Sequence, residues 1–499
     1  MSTLSRNHRS APRCTRDSAA RAATFALLAV TLASLLWSCS PESLVSDAPL
    51  PPNVPDPTQT QTPAGAMASY VGAVLQLRTA FGGDPNSMIP VTGLFTDELR
   101  SAQLGQPGLT SDPMLLDSRF LPEDPGIGED TKTAFPLRIL YGLLQRVRGQ
   151  ARQARGALHA YAPNASLALS GHLFAMEGYA EVFLADLYCS GIPLSTLDFG
   201  KDFTYKAGSS TADVYKHSRA LFDSALAIST DSARIMNLAS VGKARALLAL
   251  GEYDEAAAAV ASVPDDFTYS LTYDISVGGG STAGLPLDNR NYIWPDFASG
   301  SGAVLVTMVD GEGENGLPFM SSADPRSAWT PHGTTMYGQD LFVPAMYALD
   351  GTSPIVLASG TEARLIQAEA ALKANNASWL VTLNALRTDG TFDVQDTDTL
   401  WHAGSGGVAD LAPLQDPVDP DARVTMLFNE RAYWLFLTGH RQGDLRRLIR
   451  DYGRQSESVY PTGPYRGAFN SYRGAITAPI PGAERVSNPL FTGCQGRGA

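Results

Sequence analysis

Apolar positions repeat at helical spacing along most of this chain, and that pattern predicts its elements. Over 67–80 they recur every three or four residues. The stretch 135–160 mixes Leu with Arg; its one Pro, Pro136, suits a first helical turn, and Gly142, Gly149 and Gly156 are its weak interior points. The stretch 167–189 lacks Pro and is dense in Ala, Leu, Phe and Tyr. Thr211-Ala212-Asp213 opens another helix, with Thr211 or Asp213 near the N-cap and Val214, Leu221, Ala225 and Ile228 on one face. Helical spacing returns over 361–388 as a pair and again over 424–450, while Pro and Gly punctuate an irregular tail after Tyr452. The expected fold is mainly α, with a helical part over 67–265, a loop-rich part over 266–360 and helical pairs with a tail over 361–499.

One segment carries a repeat signature. Leu250-Gly251-x-Tyr253-x-x-Ala256 resembles the core of a tetratricopeptide repeat, in which Gly permits a tight interhelical turn, Tyr packs over it and Ala allows close approach. A plain helical hairpin is the alternative.

The loop-rich part differs in composition. Residues 271–340 hold 11 Gly in 70, with Tyr292, Trp294, Phe297, Trp329 and Tyr337 interspersed. Such sequence suits loops on a rigid scaffold, where binding groups gather. Alternatively, the aromatics plug the loops onto the helices. Asp310, Glu312 and Glu314 have the look of a calcium loop, but Gly316 falls one place late and Ser321 holds the twelfth position; a solvated acidic turn is the simpler reading.

The N-terminus carries an address. Five Arg and one Asp lie in residues 1–21, followed by the uncharged run AATFALLAVTLASLLWS. A basic region, an apolar region and a small residue before a cut make a secretory signal. Leu36-Trp37-Ser38-Cys39 resembles a bacterial lipobox, which makes 1–38 a signal peptide and Cys39 the lipidation site; an uncleaved anchor is the other reading. Residues 39–66, rich in Pro, Thr and Ser, read as a flexible tether. Removing five Arg and one Asp from 37 basic and 50 acidic residues leaves 32 and 49, a net charge of −17. A net-acidic chain without a dense basic run is a poor nucleic-acid binder. Processing would remove Cys14 and acylate Cys39, which leaves the thiols of Cys189 and Cys494; in an oxidising compartment they are expected to pair, and two buried free thiols are the alternative.

The chemistry is thin. The chain lacks HExxH, the P-loop motif, GxSxG and any GxGxxG that opens a helix, and its seven His are scattered without metal-ligand spacing. Neither a cofactor nor a metal is expected.

Several segments together resemble the SusD/RagB family of outer-membrane nutrient-binding lipoproteins. They are Thr92-Gly93-Leu94-Phe95-Thr96-Asp97-Glu98, Asp324-Pro325-Arg326, the helical pair from Glu362 with Leu383-Asn384-Ala385-Leu386-Arg387, the stretch Asn429-Glu430-Arg431 through Gly439-His440-Arg441 to Asp444-Leu445-Arg446-Arg447, and Pro479-Ile480-Pro481 with Asn488-Pro489. In order and spacing they span nearly all of 67–490. The resemblance implies a SusD-like fold of tetratricopeptide-like hairpins. It also implies a non-enzymatic protein that binds an oligosaccharide or other oligomeric nutrient and delivers it to a TonB-dependent, SusC-like outer-membrane transporter. The membrane is engaged through the lipid. The region 271–340 has no assignable counterpart, so the ligand surface rests on residue types: Tyr292, Trp294, Arg326, Trp329 and Tyr337. A lipid-tethered helical-repeat scaffold for protein partners is the competing function. Within the longest motif, Arg431 is expected to snorkel, Gly439 to stop a helix in the left-handed region and Asp444 to cap the next one. Glu430, Arg441 and Asp444 are expected to share a charge network.

Overall fold

The computed structural model describes residues 61–102, 112–121, 135–274, 306–334, 340–347, 351–388, 411–465 and 471–498. The predicted signal peptide, Cys39, most of the tether, Tyr292, Trp294 and Tyr337 lie outside the described residues.

The fold is mainly α. Helix α1 (Pro63–Phe81) starts where the Thr62 hydroxyl accepts the Gly65 N–H and Pro63 supplies a preset φ, so the end of the predicted tether is already helical. α2 (Met88–Phe95) is buried throughout and leads into β1 (Leu99–Ser101) and α3 (Asp112–Asp117). α4 (Phe135–Tyr161) packs on α5 (Leu167–Leu187), α5 on α6 (Thr211–Ile228), and α6 on α7 (Ala233–Leu250). α5 is apolar on nearly all sides and runs through the centre of the main core. Close helix approach depends on missing side chains: a Cβ at Gly242 would stand 2.3 Å from the Phe222 ring. The N-cap of α6 is Ser210, one residue before the predicted start, with its hydroxyl accepting the Asp213 N–H.

The tetratricopeptide-like segment forms a helical hairpin. Gly251 adopts φ +77° and its N–H reaches back to the carbonyls at the end of α7, so α8 (Tyr253–Ala259) folds back with Ala256 fully buried. Tyr253 does more than cover the turn. Its hydroxyl donates to Asp451 at 2.9 Å and its ring receives Lys373, tying the hairpin to later helices.

Short antiparallel strand pairs decorate the helices. β2 (Ile192–Pro193) pairs with β5 (Gly208–Ser209), and β3 (Thr196–Leu197) with β4 (Phe203–Thr204). β6 (Thr268–Leu271) pairs with β10 (Ile355–Ser359), β1 with β7 (Val306–Met308), and β8 (Trp329–Thr334) with β9 (Asp340–Pro344). Beyond β10, Ser359 caps α9 (Gly360–Lys373) by accepting the Glu362 N–H. α9, α10 (Ser378–Thr388) and α11 (Pro420–Trp434) enclose a second core around Leu365, Trp379, Leu383 and Phe428. α12 (Arg441–Tyr452), α13 (Ser456–Val459) and α14 (Gly482–Ser487) complete the order.

The tail is irregular but tied down. A disulfide joins Cys189 to Cys494, with their Cα atoms 5.8 Å apart and a sequence separation of 305. Beside it Cys189 N–H donates to Ala478 O at 2.8 Å, Ser190 N–H to Gly496 O at 2.9 Å, and Gln495 N–H to Ser190 O at 2.7 Å. α5 ends at Leu187 because Tyr188 turns extended to meet this tail.

Candidate functional site

The family-like motifs meet inside the molecule as ion pairs. Arg441 donates to both oxygens of Asp97, at 2.6 and 2.7 Å. Next to it, the Leu437 N–H donates to Glu98 Oε1 at 2.7 Å, at a residue held at φ +52°. Burial pushes the Glu98 carboxyl up to about 8. Asp444 accepts from Arg431 at 2.8 and 2.9 Å and from Arg447 at 2.8 Å, and Arg447 also donates twice to Glu369. Burial works against the Asp444 charge, but Arg431 and Arg447 overcome it and hold this carboxyl well below the carboxylate range. Glu362 pairs with Arg245 and lies beside His440, and its pKa falls to about 2 because Arg245, with His440 adding to it, outweighs desolvation.

These pairings correct three expectations. Arg431 is 2% exposed and bonded to Asp444, so it does not snorkel. Asp444 lies inside α12, its carboxylate committed to two guanidinium groups instead of a cap. Glu430, Arg441 and Asp444 take different partners, because α11 and α12 aim their charges at different neighbouring segments. Gly439 does adopt φ +77°, after α11 has ended at Trp434.

Glu430 belongs to the exposed surface's foundation. It accepts from Arg326 at 2.7 and 3.2 Å, from Arg387 at 2.6 Å and from the Trp434 indole at 3.2 Å. Arg326 is 1% exposed, also bidentate to Asp324, with its guanidinium over the Tyr433 and Trp434 rings. It is therefore no surface ligand contact. It bolts the short 3-10 helix Pro325–Ser327 to α11, and the Ser327 hydroxyl adds a bond to Phe319 O at 2.6 Å.

Directly after that turn stands Trp329, 37% exposed at the start of β8, whose six residues all face solvent. Its indole N–H donates to Met320 O at 3.3 Å, and its ring meets Phe342 edge-on at 5.1 Å. Phe342 is fixed in turn, its N–H donating to the Thr307 hydroxyl on β7 at 2.8 Å. The ring is thus held in one orientation by groups beneath it while part of its surface stays open, as a preorganised platform requires. Of the five expected ligand residues, Trp329 alone is both described and exposed.

The acidic turn at 310–316 is partly solvated, with Asp310 and Glu314 exposed. Asp310 accepts the Met320 and Ser321 N–H groups at 3.0 and 2.8 Å, and Glu312 is buried. Among the described residues no group of three His, Cys, Asp or Glu side chains is placed to hold a metal ion.

A second feature was not legible beforehand. A cavity of about 570 Å³ is walled by Arg119, Phe120, Leu121, 473–477 and Arg497. No spacing in the sequence links residues 119–121 to 473–497; only the exposed Phe beside an Arg hints at it.

No family model matches the sequence, and neither does any curated protein. Solved structures do match. One is a SusD superfamily protein from Bacteroides vulgatus ATCC 8482, 13% identical, with TM-score 0.57 over 88% of this chain and 100% of that one. The surface glycan-binding protein A from Bacteroides uniformis is 14% identical, with TM-score 0.57 over 87% and 99%. A laminarin binding SusD-like protein is 14% identical, with TM-score 0.56 over 87% and 99%. The chain has the SusD-like fold over most of its described length.

Proposed function

We propose that this chain is a lipid-anchored binding protein that captures a glycan at the outer membrane and delivers it, without turnover, to a TonB-dependent SusC-like transporter. The observation that carries the reading is the fixed, half-open Trp329 indole on a fold shared with proteins named for laminarin and surface-glycan binding. Aromatic faces stack on the C–H faces of sugar rings, and a ring already held in place loses little entropy on binding. Binding without hydrolysis is supported by the commitment of Glu430 and Asp444 to arginines, which leaves neither free for acid or base work. Cys39 is the acylation site and 39–66 the tether in this reading. Among the described residues no helix is long and apolar enough to cross a membrane, and the attachment in this reading is the lipid on Cys39. Tyr292, Trp294 and Tyr337 are proposed to extend the Trp329 surface.

An array of oligosaccharides probed with the full chain tests the reading. Retention of at least one oligosaccharide, recovered at its original length, supports it. Binding to none, or recovery of shortened products, refutes it. Co-purification of a β-barrel transporter from the native membrane tests the delivery step, and its recovery with soluble periplasmic proteins alone would favour a protein scaffold.

A further inference from the structure

Among the described residues that line the cavity beside Phe120, the charged side chains are Arg119, Arg473 and Arg497, in a chain whose net charge is −13. Arg119 is 2% exposed, at φ +55°, and its guanidinium donates only to the carbonyls of Pro461 and Ala475. Its Nε is buried without a hydrogen-bond partner. Burial lowers its pKa to about 10, a shift that Tyr460 and Glu457 oppose without cancelling. Arg473 is exposed and stacks over the Phe120 ring at 5.4 Å; its backbone N–H, donating to Ser118 O at 2.9 Å, fixes the segment. Arg497 donates to Thr477 O at 3.2 Å. Phe120 is 40% exposed, so an aromatic face borders the cationic wall.

We propose that this cavity binds an oxyanion, a carboxylate or sulfate group carried on a sugar-sized ligand, with Arg473 facing the anion, the buried Arg119 adding positive charge beneath it and Phe120 facing the ring. Guanidinium groups suit both anions, since their planar donors match paired oxygens. The volume lies within the range of small-ligand sites. That the ligand is a sugar rests on the glycan-binding reading; that it is anionic does not. Acidic sugar units are then the class this surface takes, separately from the Trp329 platform.

Calorimetric titration of the full chain with D-glucuronate, with glucose as its uncharged counterpart and with inorganic sulfate, tests this. Glucuronate is expected to bind and glucose to leave that binding undisturbed. Arg473→Ala should weaken glucuronate about tenfold or more, Arg473→Lys less, and added salt should weaken it further. Arg473 is exposed, so its replacement leaves folding intact. Tighter glucuronate than sulfate assigns the anion to a sugar; the reverse assigns it to a free oxyanion. Trp329→Ala should leave glucuronate untouched, which keeps this site separate from the glycan platform even if that platform fails. Residues 122–134 carry Glu123, Asp124, Glu129 and Asp130. Absent glucuronate binding, equal binding in Arg473→Ala, or binding that arises only after those four are made Gln or Asn would overturn the proposal.

Discussion

Arg441 and Asp97 stand 344 residues apart in sequence and 2.6 Å apart in space. Both are buried, and Asp97 also accepts the Leu317 N–H at 3.1 Å. One carboxylate therefore fastens the segment after α2, the loop-rich part and the last helical pair together. Asp97→Ala leaves the Arg441 guanidinium buried and unpaired, a change that costs about 3–5 kcal/mol. Denaturant unfolding is expected to show that loss, while Arg441→Met with Asp97→Leu recovers much of it. A single-mutant loss below about 1 kcal/mol would show that the pair is not a clamp.

Glu98 gives the protein a pH dependence of unusual sign. Its carboxyl is neutral in the fold up to about 8, whereas an unfolded glutamate ionises near 4.5. Between those values the folded state holds a proton that the unfolded state has lost, so stability falls as pH rises through that window. Asp117, raised to about 7 by burial, adds to the same slope. His172 lies between the Tyr70 and Tyr269 hydroxyls, and burial lowers it to about 4, so it removes stability as pH falls from 6.5 toward that value. Glu98→Gln keeps an acceptor for the Leu437 N–H. Unfolding midpoints across pH 5–9 should decline less steeply in that variant than in the wild type (roughly the pH span of the shift). Parallel profiles would contradict this.

The two neighbours Trp329 and Arg326 should separate cleanly. Trp329→Ala removes the exposed ring without touching the core, and is expected to weaken oligosaccharide binding by about 1–3 kcal/mol with unfolding unchanged. Arg326→Ala strips the foundation from Glu430 and Asp324, so it should lower stability by about 3–5 kcal/mol as well as loosen the platform. Paired melting and affinity measurements on both variants check the contrast.

The Cys189–Cys494 bond closes a loop of 305 residues. The chain-entropy account puts its stabilisation at about 6 kcal/mol at most, reduced by the hydrogen bonds that hold the same tail without it. Cys189→Ala with Cys494→Ala should lower the unfolding midpoint and expose 477–498 to protease first. An unchanged midpoint and protease pattern would show that the backbone ladder alone secures the tail.

Much of the helical frame was legible because its signals are local. Helix 167–189 announced itself through twenty-odd residues of small and apolar side chains, and Gly251 through the turn chemistry that only a left-handed residue supplies. The disulfide followed from counting thiols. Partner choice among charges was not legible: Asp444 reads as a cap from its place before Leu445, and only the packed fold brings Arg431 and Arg447 to it. Arg326 likewise looks like a surface hydrogen-bonder among exposed Ser and Ala, until α11 supplies Glu430 from 104 residues away. The cationic cavity is least legible of all, since its two walls lie more than 350 residues apart.

The most direct measurement is the affinity of the full chain for the oligosaccharide it retains best on the array, taken beside Trp329→Ala at equal thermal stability. The account predicts saturable binding by the parent protein, a fall of about tenfold or more in the variant, and ligand recovered intact from both. Equal affinity in the two proteins, or cleavage of the ligand by the parent, would contradict it.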